Sequence, residues 1–262
     1  METVQNPARE RLERGELSLG VGVRIAKTVE IAKAMKTAGF DWLFIDLEHG
    51  ALSIDTAAQI AVAALDAGIA PIARVPNGEF SMATRLLDNG ALGIVIPHVD
   101  TAEEARDVVD KLKYPPVGHR SVGGALPQLD FRTVKIADLT KSLNAATLTV
   151  VMLETPKAIE NAEAIAAVPG IDVLLIGTND LCAEMGIPGD FNNARVVAAY
   201  ERTIAACRAH GKWAGMGGIY DEQIMPRYIE KGVRFVLGGA DLSFMLGAAT
   251  RRTSFLRDLK VG

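Results

Sequence analysis

The sequence predicts an α/β protein built as one closed (β/α)8 TIM barrel, and three observations carry that reading. Eight short apolar runs recur along the 262 residues, and longer stretches of helical period alternate with them. Strands that are apolar on both faces and joined through helices belong to a parallel sheet covered on its outside. The length suits one such barrel, which takes ~250 residues. An open doubly wound sheet would instead carry a dinucleotide loop after its first strand, and the residues there are Arg24-Ile25-Ala26-Lys27-Thr28.

The elements follow in order. The first strand, 19–23 (LGVGV), comes after a polar segment read as a short N-terminal helix. The pattern VEIAKAMKTAG leads to the second strand at 42–46 (WLFID), DTAAQIAVAALDAG to the third at 71–75 (PIARV), and SMATRLLDNG to the fourth at 93–97 (GIVIP). AEEARDVVDKLK follows. The next stretch, 113–134 (KYPPVGHRSVGGALPQLDFRTV), is rich in Pro and Gly and too long for a simple connection, so it reads as an active-site or interface loop. The fifth strand is 148–153 (LTVVML), the sixth 173–177 (VLLIG), the seventh 213–217 (WAGMG) and the eighth 235–239 (FVLGG). AIENAEAIAAV, AAYERTIAACRAHG and EQIMPRYIEKG lie between them, and LSFMLGAATRRTSFL closes the series. Several helices end at Gly, as helix C-termini do. One domain, 1–262, is the expected organisation.

Composition narrows the function. With 49% hydrophobic and 23% charged residues the chain can bury a sizeable core, and a net charge of −4 with scattered Lys and Arg excludes a polyanion-binding footprint, hence a nucleic-acid partner. The amino terminus is polar and no apolar run is long enough for a bilayer, so a cytoplasmic protein without membrane contact is expected. Cys182 and Cys207 lack ligand spacing and read as inert thiols.

Catalytic groups of such barrels project from the C-terminal strand ends, where the βα loops gather. Strand two ends in Asp46-Leu47-Glu48-His49-Gly50, strand three in Arg74-Val75-Pro76-Asn77, strand five in Glu154 and strand six in Gly177-Thr178-Asn179-Asp180. Glu154 and Asp180 could hold a hard divalent cation with room for waters and substrate oxygens, or each could cap a following helix. His49 is placed for proton transfer near neutral pH, with His98 a second candidate. Arg74 suits a carboxylate or a developing enolate oxygen, or an ion pair with a rim acid. The glycine pairs 217–218 and 238–239 could receive a phosphate or form plain turns. None of the eleven lysines falls inside a strand where a Schiff base would need it, so carbanion chemistry here calls for a metal.

The runs GFDWLFIDLEHG (39–50), ARVPN (73–77), RLLDNGALGIVIPHVDTAEEA (85–105), YPPVGHRSVGG (114–124), LETPKAIEN (153–161) and IGTNDLCAEMG (176–186) resemble the HpcH/HpaI aldolase family. The resemblance implies a class II pyruvate aldolase, usually a hexamer assembled as a trimer of dimers that exchange the last helix. By it, Glu154 and Asp180 would hold Mg2+, Mn2+ or Co2+, His49 would be the base, and Arg74 would steady the enolate. Asp46 would be the acid near the base, and Asp88 would reach the base of a neighbouring subunit. The implied reaction is reversible cleavage of a 4-hydroxy-2-oxo acid into pyruvate, or a related oxo acid, and an aldehyde. Related metal-enolate chemistry on a CoA thioester, or decarboxylation of an oxo-diacid, is the alternative. Met152 stands where some members have glutamine, and Gly177-Thr178-Asn179 where some have Gly-Pro-Ala. Both positions border the oxo-acid pocket, where Asn179 supplies an amide that Met152 lacks.

Overall fold

The computed structural model describes residues 4–260. Eight parallel strands close on themselves in sequence order. They are β1 (Ser18–Val23), β2 (Trp42–Asp46), β3 (Ala70–Arg74), β4 (Gly93–Ile96), β5 (Leu148–Leu153), β6 (Val173–Gly177), β7 (Trp213–Gly217) and β8 (Val233–Ala240). β8 begins earlier than expected because Val233 already pairs with Ala214 of β7. Closure comes from β1, which pairs with both β2 and β8. Fold class and strand order are those the sequence predicts.

Side chains alternate across each strand, so every second residue faces the barrel axis. Trp42, Phe44, Ile72, Val95, Leu148, Val150, Met152, Val173, Leu175 and Phe235 fill the interior. The Trp42 ring stacks on Phe235 with centroids 4.0 Å apart. Gly20 makes room for it, since a Cβ there would lie 2.2 Å from the indole. The intervening residues, such as Leu43, Ile45, Ala73, Ile94, Val151, Leu153, Leu174 and Ile176, pack outward in the larger apolar layer beneath the helices.

Around the barrel run α1 (Pro7–Glu13), α2 (Glu30–Thr37), α3 (Ile54–Ala67), α4 (Phe80–Asp88), α5 (Ala102–Leu112), α6 (Ile136–Ala146), α7 (Pro156–Glu160) and α8 (Ala162–Ala166). They continue with α9 (Thr178–Glu184), α10 (Ala194–Ala209), α11 (Met225–Lys231) and α12 (Asp241–Arg257). α1 stops the N-terminal end of the barrel: Ala8 and Leu12 join the interior cluster, and Asn6 Nδ2 donates to the Leu92 and Ala146 carbonyls at 3.0 and 2.7 Å. Beside it Arg9 meets Asp172 at 2.6 Å, and the buried Lys113 ammonium donates to the Thr147 carbonyl at 2.6 Å. α6 and α9 are helices that the hydrophobic pattern left unassigned. The stretch 158–168, expected as one helix, breaks at Asn161, whose side-chain amide is drawn off to the Asp100 carbonyl at 2.8 Å.

The Pro- and Gly-rich stretch is not bare loop. It contains a 3-10 turn at Pro127–Leu129, and Tyr114, Leu126 and Leu129 pack with Leu139 and Leu143 of α6 in a small separate core. α12 differs from every other long helix. Among its residues only Asp241 is buried, while Phe244, Met245, Leu246, Phe255 and Leu256 are exposed.

Candidate active site

Alternation along the strands decides which polar residues enter the mouth of the barrel. Trp42 and Phe44 face the interior, so Asp46, two residues further on, faces it too, as does Arg74 after Ile72. Leu148, Val150 and Met152 set the same parity on β5, and Glu154 continues it one residue beyond the strand. These residues border or underlie a cavity of ≈ 400 Å3 at the C-terminal strand ends, whose walls include Arg24, Phe44, Asp46, His49, Arg74 and Asp180.

Asp46 and Arg74 are register partners on adjacent strands. Their side chains pair bidentately, Arg74 Nε to Asp46 Oδ1 at 3.1 Å and Nη2 to Oδ2 at 2.8 Å. Arg74 Nη1 lies 2.9 Å from Glu48 Oε2, and the guanidinium covers the Phe44 ring at 5.0 Å. Asp46 Oδ1 also accepts from the Glu48 and His49 backbone N–H groups at 3.1 and 3.2 Å. Burial alone would push the Asp46 carboxyl up, but Arg74 and those N–H groups outweigh it and hold it below the ordinary carboxylate range. The ion-pair role weighed for Arg74 is therefore real, and it fixes the guanidinium in place.

Glu154 is 1% exposed, and its Oε2 accepts from the His98 backbone N–H at 2.8 Å with the His98 ring Nδ1 at 3.4 Å. It does not cap the following helix; the Thr155 hydroxyl does that, accepting from the Ala158 N–H at 3.0 Å. Gly177, on the neighbouring strand, gives the carboxylate its space, because a Cβ there would stand 2.4 Å from Glu154 Oε1. Burial raises Glu154 to about 7, against the pull of His98 and Arg74 and with repulsion from Asp180 in the same direction. Asp180 sits exposed in the first turn of α9 and lines the cavity. Two acids that repel each other, one of them buried, form an oxygen donor set that fits a hard divalent ion. Among the described residues no group of three or more His, Cys, Asp and Glu is gathered for a metal, so an ion here would complete its shell with water or substrate oxygens.

His49 leaves β2 through a tight turn in which a Cβ at Gly50 would lie 2.3 Å from the Asp46 carbonyl. Its ring is 56% exposed, and Nε2 stands 3.8 Å from Glu48 Oε2. The acid nearest this ring is therefore Glu48, whereas Asp46 touches His49 through the backbone. Asn179 is exposed on the cavity wall, where a Cβ at Gly218 would stand 3.1 Å from its amide nitrogen. Met152 is buried, with its sulfur 4.0 Å from Arg74 Nη1.

Asp88 ends α4, and its Oδ1 accepts from Arg120 Nη2 at 2.6 Å. Arg120 in turn lies over the Tyr114 ring at 4.5 Å. Neither Asp88 nor any residue of 113–134 lines the cavity of this barrel. No lysine lines it either: Lys113 lies at the opposite end, and Lys157 is exposed, 3.9 Å from Asp100.

Three groups do more than the sequence reveals. Glu48 is one of the two acids before His49 able to orient its ring, and its pairing with Arg74 is what the sequence does not show. Arg24, the first residue after β1, occupies the same kind of strand-end position as the others and lines the cavity. Asp241 is the hardest to foresee, because its carboxylate accepts from the N–H groups of Arg24, Ile25 and Ala26, more than 200 residues away, across the β1–β8 seam that only closure creates.

Fold and site together define a (β/α)8 barrel whose mouth gathers carboxylates, two arginines and a histidine around one cavity. The family described as HpcH/HpaI aldolase/citrate lyase matches residues 25–248, and the chain belongs to it. The chain is 41% identical to a 4-hydroxy-4-methyl-2-oxoglutarate aldolase of Hapsidospora irregularis, covering 95% of this chain and 94% of that one. It is 33% identical to a hydroxypyruvate/pyruvate aldolase of Delftia acidovorans, covering 95% and 91%. The crystal structure of an HpcH/HpaI aldolase from Desulfitobacterium hafniense superposes with a TM-score of 0.91 at 28% identity, covering 96% of this chain and 97% of that one. The protein is accordingly a carbon–carbon lyase, an aldolase that cleaves hydroxy-oxo acids.

Proposed function

We propose that the chain, one barrel domain over 1–262, cleaves a 4-hydroxy-2-oxo acid to pyruvate or a close relative and a second carbonyl compound, with Glu154 and Asp180 holding Mg2+, Mn2+ or Co2+. The observation that carries this reading is the Glu154–Asp180 pair: Asp180 lines the cavity with Arg74 and His49, and the buried Glu154 carboxylate lies against Gly177 of its wall and is repelled by Asp180. A divalent ion bound there would act as the Lewis acid that polarises the oxo group. The exposed His49 ring takes the proton of the 4-hydroxyl and Glu48 steadies the charge it gains. Arg74, held rigid by Asp46 and Glu48, turns its remaining N–H donors toward the developing enolate oxygen. Asn179 contributes an amide beside the oxo acid, opposite the apolar Met152.

The same reading covers the assembly. A homo-hexamer, a trimer of dimers exchanging α12, would bury the apolar side chains that this helix leaves exposed, and Asp88 would then serve His49 of a neighbour. Among the described residues no helix is long and apolar enough to cross a membrane, and both cysteines are free and buried, which suits the cytoplasm.

Exchange of the pyruvate methyl protons reports enolate formation without needing the second substrate. Chelation should abolish exchange, and added Mg2+, Mn2+ or Co2+ should restore it. Glu154→Gln and Asp180→Asn should each weaken Mn2+ binding at least tenfold, followed by electron paramagnetic resonance. Borohydride trapping of a pyruvate adduct, or unchanged Mn2+ affinity in both variants, would defeat the assignment.

A further inference from the structure

The cavity carries two guanidinium groups in different electrostatic states. Arg74 is committed: it is buried, doubly bonded to Asp46 and paired with Glu48, and its remaining N–H donors are those turned toward the enolate oxygen. Arg24 is 45% exposed and lines the same cavity. Its Nη2 donates to the His49 carbonyl at 3.1 Å, a neutral partner. Its Nε stands 3.7 Å from Asp46 Oδ2, beyond hydrogen-bond length, and that oxygen already belongs to Arg74. Of five donors, Arg24 thus commits one.

A surface arginine is ordinarily mobile, but this one is mounted on a fixed base. The Asp241 carboxylate, 9% exposed, accepts from the N–H groups of Arg24 at 3.2 Å, Ile25 at 3.0 Å and Ala26 at 2.8 Å. Three consecutive N–H groups gathered on one buried carboxylate pin the turn after β1 to the start of α12, so the Arg24 backbone is set before any substrate arrives. The tie of Nη2 to the His49 carbonyl aims the head group at the turn that carries the proposed base. Apart from Asp46, Arg74 and Asp180 the wall is largely apolar, with Phe44, Met152, Leu175 and Leu237, and Arg24 and Arg74 are the permanent cations that line it.

Building on the aldolase reading, we infer that Arg24 anchors a second carboxylate, the one borne by the carbon that carries the 4-hydroxyl. The site then takes dicarboxylic 4-hydroxy-2-oxo acids, and in the synthetic direction its acceptor is a 2-oxo acid and not a neutral aldehyde. Cleavage breaks the C3–C4 bond: the pair of electrons stays on the pyruvate carbon, C4 becomes the carbonyl of the departing oxo acid, and the hydroxyl proton goes to the base. Arg24 takes no part in those transfers; it holds the departing half through a charge-assisted, fork-like pair of N–H bonds. An aldehyde lacking a carboxylate leaves the fork unfilled and loses that hold.

The test is the ratio of kcat/KM for two acceptors condensed with pyruvate, glyoxylate and glycolaldehyde, measured on the metal-loaded enzyme. The wild type should favour glyoxylate, and Arg24→Gln should lower the ratio by about ten- to a hundredfold, mainly through KM. Arg24→Lys should recover part of it, because a point charge replaces a planar fork. A wild-type ratio at or below one overturns the inference without any variant, as does a ratio in Arg24→Gln within twofold of the wild type. An equal loss on both acceptors overturns it too and makes Arg24 a prop for the His49 turn. Absence of pyruvate methyl exchange in the metal-loaded wild type is a separate result: it removes the aldolase reading, and this inference with it.

Discussion

Asp46 shows how one buried carboxylate can both stabilise the fold and fix a neighbouring guanidinium. Its carboxylate is ionised more readily in the folded chain than in the unfolded one, because Arg74 and two backbone N–H groups outweigh its burial. That difference adds stability that is fully present above the ordinary value of 3.8 and is lost as pH falls through the lower folded value. Asp46→Asn leaves the buried guanidinium with Glu48 alone and should cost about 3 kcal/mol at pH 7. Urea unfolding of both proteins from pH 7 down to pH 3 should show the gap between them closing at the acid end. A gap that stays constant would mean that another group carries the titration. The same substitution should slow enolate formation, since Arg74 loses the clamp that aims it.

At the level of elements, strands were easier to read than helices, and the reason is physical. A buried parallel strand advertises itself by continuous apolarity, so β2, β5, β6 and β7 lie where the pattern places them, residue for residue. α6 follows a run of Pro and Gly and packs on a local core, which masks its period, and α7 and α8 share Asn161 as the end of one and the start of the other. The strand-end rule points to Asp46, His49, Arg74, Glu154 and Asp180, which sit at or beside the cavity mouth, but it could not point to Asp241, whose hydrogen bonds depend on a seam between the first and last strands. Strand parity adds a prediction. Gly177 occupies an inward position where any side chain collides with Glu154. Gly177→Ala should keep the barrel while introducing about 1–3 kcal/mol of overpacking strain, relieved by displacing the Glu154 carboxylate. Mn2+ affinity should fall about tenfold with an unchanged circular dichroism spectrum; full affinity in this variant would show that the carboxylate position is not critical.

The whole molecule presents two surfaces that its own barrel does not use. One is α12, with its exposed apolar side chains; the other is Asp88, fixed by Arg120 at the end of α4 and half-exposed, away from its own cavity. If subunits share sites, His49→Ala and Asp88→Asn chains, each impaired alone, should regain activity when mixed under conditions of subunit exchange, because some sites then receive an intact histidine and an intact aspartate. Separate refolding without exchange is the control. A fully active Asp88→Asn enzyme would refute the sharing while leaving the metal chemistry untouched.

The plug at the other end of the barrel has an evolutionary corollary. Asn6, Arg9, Lys113 and Asp172 tie α1 to the beginnings of β4, β5 and β6, at the opposite end of the barrel from the residues that line the cavity. The rim opposite the mouth therefore carries its own set of ties, which changes in the loops at the mouth leave untouched. Mutations that retune the mouth toward new acceptors draw on a reserve they do not themselves disturb, so a laboratory lineage selected for altered substrate range should accumulate its changes after the strands and leave the ends before them intact.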